Sequence, residues 1–573
     1  MIDSLALLHR LPPGWVLILG GLAVPLIPQR LRPVWLVAIP VLSGAHLLTL
    51  PSGLRLTVSW LGLDLTPVRV DGLSLPFGIV FHLAALLAVI YALHVKDLRQ
   101  HAAAFAYAGA AVAAVFAGDL LSLFVFWELT AVASAFLVWA GGTRRSYEAG
   151  MRYLIIQLAS GALLLAGAVL YWRETGSLDF GRMGLDGAAG TLIFLSFGIK
   201  CAFPLLHNWM QDAYPEATVT GTVFLSVFTT KLAVYALARG YAGTPLLIGL
   251  GATMTVFPVF YAAIENDLRR VLAYSLNNQL GFMVAGIGVG TATAINGTVA
   301  HAFSHVLYKA LLFMSMGAVL HRTGTIKASQ LGGLYKSMPW TTAFCVVGAA
   351  SISGFPLFSG FVSKALTMDA VAEGHHTVAW LALVFASAGV MHHSGIKIPF
   401  AAFFGHDSGV RCREAPLNML VAMGASAAAC VLIGIAPGLL YGLLPYPVDY
   451  RPYTASHVLS QTQLLLWAGL AFALLLRTGR HPKELPLVNL DFDWIYRRLA
   501  PDVLQVVVAR WRVASDAVGG LVRRGGSQVA DGVYRHVGPG GVLARAWTPG
   551  AAVLWVVFLL GVFLLLYYGR YVS

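Results

Sequence analysis

Apolar runs of about 17–25 residues follow one another from residue 13 to residue 477, and one more lies at 550–570. Most are apolar all round, without strict alternation or a narrow stripe. A helix reads that way when lipid or other helices surround it. A hydrocarbon core about 30 Å thick needs about 20 helical residues. On that length the chain predicts spans at 13–29, 33–50, 73–95, 102–118, 120–141, 150–172, 188–209, 218–239, 245–264, 271–290, 294–320, 340–373, 377–403, 416–440, 461–477 and 550–570. Two are interrupted, by Pro204 in 188–209 and by Gly354, Pro356 and Gly360 in 340–373. Proline removes a donor and frees a carbonyl of the preceding turn, which must find a polar partner.

Composition agrees. Of 573 residues, 58% are hydrophobic and 11% charged, with mean hydropathy +0.75. Soluble domains carry about 25% charged residues. The net charge of +13 does not point to nucleic acid. Threading the spans alternately puts Arg30/Arg32, Lys96/Arg99, Arg144/Arg145, Arg269/Arg270, Arg322/Lys327/Lys336, Arg411/Arg413 and Arg477/Arg480/Lys483 on one side. That bias places these loops in the cytoplasm of a bacterial-type plasma membrane, with the N-terminus outside and its first apolar run a retained span. Loops 51–71 and 441–460 fall on the opposite side. Cys201, Cys345, Cys412 and Cys430 lie far apart, without a CxxC or His/Cys cluster. Neither a Walker A sequence nor a GxGxxG after a strand is present, so no cofactor or metal is expected.

Residues 490–541 differ, mixing Leu504, Val507, Trp511, Val518 and Leu521 with many arginines. The segment predicts either an amphipathic helix along the cytoplasmic interface, broken near Pro501 and Gly519–Gly520, or a solvated basic linker.

Ionisable residues inside the spans carry the candidate chemistry. Glu128 lies about nine residues into its span, about 13 Å deep. Lys200 and Lys231 are a dozen or so residues into theirs. A lysine at that depth costs roughly 2.5–3.5 kcal/mol. A structural ion pair is one explanation, but an apolar pair would hold helices together without the desolvation penalty. His301, His305 and Lys309 recur every four residues on one helix face, a composition suited to proton relay. Lys364 follows the second break, an echo of Lys200 before Pro204 that suggests inverted repeats. Lys397, beside His392 and His393, is expected to snorkel to the interface. Glu265, Asp267, Arg269 and Arg270 read as a solvated loop. At about 6 Å and an effective dielectric of about 20, Glu128 and Lys200 would attract by about 2.8 kcal/mol. Withdrawing Glu128 would then release the Lys200 proton toward Lys231, His305, Lys309 and Lys364.

The motifs FVFWE (Glu128), GIKCAFPLLHNWMQDAYP (Lys200), TTK (Lys231), NDLRRVLAYS, HVLYKALLF (Lys309) and GFPLFSGFVSK (Lys364) resemble those of the proton-translocating membrane subunits of respiratory complex I, membrane-bound hydrogenases and Mrp-type cation/proton antiporters. The resemblance covers about residues 65–440. It implies an all-α polytopic membrane protein of about 14–16 transmembrane helices, with two inverted five-helix repeats and an extra C-terminal span. It implies an entry pair Glu128/Lys200, a central relay Lys231, His305 and Lys309, and a terminal Lys364; His301 joins the path by its place on the same helix face. Expected boundaries are N-terminal helices 1–101, repeats 102–264 and 265–440, and C-terminal spans 441–573 with the cytoplasmic segment 490–549. The AYPEAT and FTTK wording is similar to the D-type subunit of Mrp antiporters, which exchange Na+ or K+ for protons beside other membrane subunits. The tail is more similar to the distal complex I subunit. Coupling to an NADH–quinone oxidoreductase or hydrogenase, or to a bicarbonate-uptake partner, therefore stands beside cation antiport. No redox centre is expected in the chain itself.

Overall fold

In the computed structural model, residues 11–480, 489, 491–545 and 548–569 are described. The chain divides into two units, Met1–Asn489 and Leu490–Ser573.

The first unit is a helical bundle. Its helices are α1 (Trp15–Leu22), α2 (Arg32–Thr49), α3 (Ser74–Ala92), α4 (Leu98–Phe116), α5 (Leu120–Trp139), α6 (Arg144–Thr175), α7 (Gly187–Lys200), α8 (Asn208–Ala213) and α9 (Gly221–Gly240). There follow α10 (Leu246–Ile264), α11 (Leu268–Val289), α12 (Ala292–Thr323), α13 (Pro339–Ser353), α14 (Ser359–Glu373), α15 (Thr377–Val390), α16 (Leu417–Ile435) and α17 (Ala455–Arg477). Among the described residues, eleven helices are long and apolar enough to cross a membrane. The apolar stretches of α9 and α12 are almost wholly enclosed by protein, so these two form the centre. By contrast α2 and α17 keep apolar faces exposed.

The loop expected at 51–71 is instead a β-hairpin, β1 (Arg55–Trp60) antiparallel to β2 (Leu63–Arg69). Leu56, Val58 and Trp60 alternate with polar residues, and Leu61 and Gly62 turn the chain at φ 51° and 78°. Two-residue turns with positive φ match the twist of paired strands.

The sequence repeats its local structure after 148 positions, from Asp119 to Asp267. Both aspartates cap the helix that follows, Asp119 accepting from Ser122 N and Asp267 from Arg269 N. Leu120 N donates to Leu178 O (2.9 Å) and Leu268 N to Ile326 O (3.1 Å). Phe180 N donates to Gly118 O and Ala328 N to Asn266 O, each at 2.8 Å. Both α6 and α12 run for 32 residues and end on a left-handed glycine, Gly176 or Gly324. Capping aspartate and terminal glycine satisfy the loose backbone groups at opposite helix ends. The two breaks correspond as well. Ala202 and Leu205 have φ 60° and 73° around Phe203–Pro204, and Gly354 and Leu357 have φ 79° and 73° around Phe355–Pro356. Helix α11 is the fifth crossing after α5, counting α7 and α8 as one, so the repeats run inverted.

The second unit holds α18 (Ala500–Val537) and α19 (Pro549–Gly569). One π turn, Ile495–Leu499, precedes α18 near Pro501, but no break occurs at Gly519–Gly520. A helical glycine costs only about 1 kcal/mol, too little to stop a helix of 38 residues. At 1.5 Å per residue it is about 57 Å long.

Candidate functional site

Two of the buried lysines, Lys200 and Lys364, lie at the helix breaks, and the other ionisable residues sit on continuous helices. Lys200 ends α7 at the first break. Its Nζ donates to Trp127 O (2.5 Å) and Thr130 Oγ1 (2.9 Å) and lies 4.4 Å from the centre of the Trp127 ring. The ammonium is thus enclosed by a carbonyl, a hydroxyl and a π face, an arrangement that offsets part of its lost hydration. The break leaves Ile199 O to accept from Trp209 Nε1 at 2.9 Å. Pro204 sits in this turn.

Glu128, next to Trp127, makes no ion pair closer than 4.0 Å with Lys200. Its Oε1 instead lies against Gly161, where an added Cβ would overlap it, and has no hydrogen-bond partner among the described residues. Gly161 corresponds, 148 positions earlier, to Lys309. The expected pair is therefore adjacent in the fold without direct contact.

Lys231 stands midway along α9 and donates to Ser226 O (2.6 Å) and Thr230 Oγ1 (3.3 Å). At the same place the Tyr107 hydroxyl accepts from Thr229 N (3.0 Å) and bonds Thr229 Oγ1 (2.6 Å). Two side chains thus bond to backbone groups in the middle of α9, which stays continuous. No breaker residue marks this position.

His301, His305 and Lys309 line one face of α12, all fully buried. The two imidazoles stack with centres 6.2 Å apart, and His305 meets the Tyr308 ring at 5.3 Å. His301 Nδ1 is 3.3 Å from Ser363 Oγ, whereas neither nitrogen of His305 nor Lys309 Nζ has a hydrogen-bond partner among the described residues. Lys231, Lys309, His301 and Lys364 all act electrostatically on His305.

Lys364 reaches back across the second break. Its Nζ donates to Ile352 O (2.9 Å), approaches Ser387 Oγ (3.5 Å) and lies 5.3 Å from the Phe282 ring centre. Pro356 lies in the turn between α13 and α14. Lys231, His301, His305, Lys309 and Lys364 thus form one buried cluster, which Lys231 continues toward Cys201, the neighbour of Lys200. Four buried lysines cost on the order of 10 kcal/mol together, as much as the whole stability of an ordinary domain.

Two sequence expectations are corrected. Lys397 does not snorkel: it is buried, and its Nζ donates to Ala263 O (2.8 Å) and Glu265 O (2.7 Å), capping the C-terminus of α10. The negative end of a helix attracts a cation. Arg269 is not solvated either. It is 3% exposed, and its Nη2 donates to Ala217 O (2.8 Å), Tyr214 O (3.1 Å), Thr218 O (3.2 Å) and Thr222 Oγ1. It fastens the elbow before α9 to the start of α11. Glu265 is also buried, its Oε1 accepting from Asn266 N and Asp267 N.

The structure also buries polar residues outside the ionisable cluster. In α11, Ser275, Asn277, Asn278 and Gln279 are all buried, and Gln279 Oε1 accepts from Tyr308 OH at 3.1 Å. His393 lies in a π-helical continuation of α15, Met391–Lys397, beside Ser394 (2.8 Å), which donates to Ser275 at 2.7 Å. The run SLNNQL inside an apolar span was the available signal for α11. A π turn has none.

Residues 117–389 match the family described as NADH:quinone oxidoreductase/Mrp antiporter, TM. Over 423 residues the chain is 29% identical to hydrogenase-4 component B of Escherichia coli, covering 65% of this chain and 62% of that one. It is 30% identical over 309 residues to the D-type subunit of the Na(+)/H(+) antiporter of Alkalihalophilus pseudofirmus, covering 50% of this chain and 62% of that one. The chain thus spans about six-tenths of the length of these curated relatives. Its fold is also that of a chain in the membrane-bound sulfane sulfur reductase, an archaeal respiratory membrane complex, with TM-score 0.71 and 23% identity over 96% of this chain and 100% of that one.

Proposed function

We propose, on the premise that residues 117–389 match the family described as NADH:quinone oxidoreductase/Mrp antiporter, TM, that this chain moves protons through the membrane as part of a larger assembly. The proton passes from the Glu128/Lys200 region through Lys231 to His301, His305 and Lys309, and leaves by way of Lys364. Each step hands one proton from a charged ammonium or imidazolium to a neutral neighbour, with water between them, and no group is oxidised or reduced. The assembly is a monovalent cation/proton antiporter of Mrp type, in which this chain occupies the place of the D-type subunit.

The observation that carries the reading is the state of Lys309 and His305, which lie fully buried at the centre of the bundle without hydrogen bonds to any described residue. A structural lysine would be expected to have its donors satisfied. Inverted vesicles from a host lacking its own antiporters provide the test. The complete assembly should dissipate a pH gradient on addition of Na+ or K+. Lys309→Ala should lower that rate at least about tenfold, equivalent to about 1.4 kcal/mol, while the protein still inserts. Unchanged exchange in that variant rules out the path.

A second reading has its own support. The 38-residue α18 and the following span lie outside the matched family region, and the likeness to the respiratory complex chain extends over nearly the whole sequence. Proton pumping within a redox-driven membrane complex fits that tail. Isolation of the intact assembly separates the two readings: small antiporter subunits favour the first, and iron–sulfur or flavin subunits the second.

A further inference from the structure

A pocket of about 300 Å³ opens where the loop before α2 meets the turn between α3 and α4, lined by Gln29, Arg32, Leu36, His94, Lys96 and His101 among others. We propose that it binds the phosphate of an anionic phospholipid, of the phosphatidylglycerol or cardiolipin class, in the cytoplasmic leaflet.

The donor set carries the assignment. Arg32 opens α2, and its Nε is committed to Ile27 O at 2.9 Å. Its remaining guanidinium nitrogens make no ion pair among the described residues. Lys96 is exposed at the rim. His101 is buried and oriented by its contact with Val95 O at 3.0 Å. Among the described residues no carboxylate lines the pocket; Asp97, next to Lys96, acts on His101 from outside the lining, and two fixed positive charges and three polar side chains converge there. Planar guanidinium and ammonium together suit a phosphate oxygen pair. Basic pockets between membrane helices at this level are typical headgroup sites.

Its surroundings select lipid over free phosphate. The pocket belongs to the face that carries the basic loops, at the depth of headgroups. Beyond it, α2 presents Val34, Val41, Leu42 and Leu48 exposed. This apolar track is of no use to an inorganic ion but fits an acyl chain. His94 also meets the His321 ring at a tilt, with centres 5.1 Å apart, in the last turn of α12. The headgroup therefore lies against the end of the helix that carries His301, His305 and Lys309. The lipid assignment does not depend on the proton path, and its test does not read transport.

The experiment compares the full chain, purified in mild detergent, with the double variant Arg32→Gln/Lys96→Gln. Phospholipid retained per protein is measured by mass spectrometry, and thermal unfolding is followed with added phosphatidylglycerol, phosphatidylcholine or inorganic phosphate. The wild type should keep about one anionic phospholipid more than the variant. Phosphatidylglycerol alone should raise its Tm by a few degrees, and the charge-conserving Arg32→Lys/Lys96→Arg should retain most of both effects. If the double variant fails to fold, Lys96→Gln alone carries the comparison, because its side chain is exposed. Equal lipid retention in wild type and variant overturns the proposal, as does an equal shift with inorganic phosphate.

Discussion

Lys364 donates to the carbonyl of Ile352, and Ile352 stands four residues before Pro356 as Lys200 stands four before Pro204. The two breaks share a backbone conformation, yet their lysines arrive from opposite sides. In the first repeat the lysine ends the helix before the break and turns away to Trp127 and Thr130. In the second, a lysine from beyond the break returns to the carbonyl that the break set free. Replacing Lys364 with methionine should leave Ile352 O without its donor, at a cost of about 1–3 kcal/mol. Removing the buried ammonium also removes its desolvation penalty of roughly 2.5–3.5 kcal/mol, so the expected result is lost proton transport with little change in Tm. A variant with unchanged transport removes Lys364 from its assigned role.

Gly161 gives access to Glu128 without changing any charge. Because a Cβ at 161 would overlap Glu128 Oε1, Gly161→Ala must displace the carboxylate. Transport should fall about as far as in Glu128→Gln, while expression and insertion stay normal. Wild-type exchange in Gly161→Ala would show that the position of this carboxylate is unimportant.

Tyr107 reaches the backbone of α9 through one hydroxyl. Tyr107→Phe removes the acceptor of Thr229 N and keeps the ring. A rate reduction of roughly tenfold, about 1.4 kcal/mol, is expected in the vesicle assay. Tm should shift by only a few degrees, since one neutral hydrogen bond contributes about 1 kcal/mol.

Arg269→Ala should be far more damaging than Arg270→Ala. The first removes the donor to three elbow carbonyls, leaving buried acceptors unpaired at roughly 3 kcal/mol or more. The second removes a guanidinium 4.0 Å from Glu265. Limited proteolysis at residues 213–222 should distinguish them, with cutting accelerated in the first variant only.

On the hairpin side, Asp71 accepts from Arg239 Nη2 at 2.8 Å and faces Arg69 at 3.4 Å. Burial opposes its charge, but the Arg239 hydrogen bond and charge, the Ser74 backbone and Arg69 outweigh that and hold its carboxyl below the usual value. A carboxyl lowered by folding contributes stability that is full above its unfolded pKa, about 4. That contribution is lost as pH falls through the folded value. Thermal unfolding between pH 7 and pH 3 should show less acid sensitivity in Asp71→Asn than in wild type. Parallel curves would exclude the linkage.

Apolar run lengths, two prolines and the cost of burying charge were enough to locate most of the helices, both breaks and the lysines that stand inside apolar runs. These features are local, because a span must satisfy its own backbone and any ionisable residue inside it stands out. What the bundle alone decided were the partners. Lys200 faces Trp127 and Thr130 rather than a carboxylate, Tyr107 reaches the backbone of α9, and Lys397 and Arg269 turn inward onto carbonyls. Sequence counts the donors a chain carries. Which acceptor each one meets depends on segments between 51 and 134 residues apart coming to lie side by side.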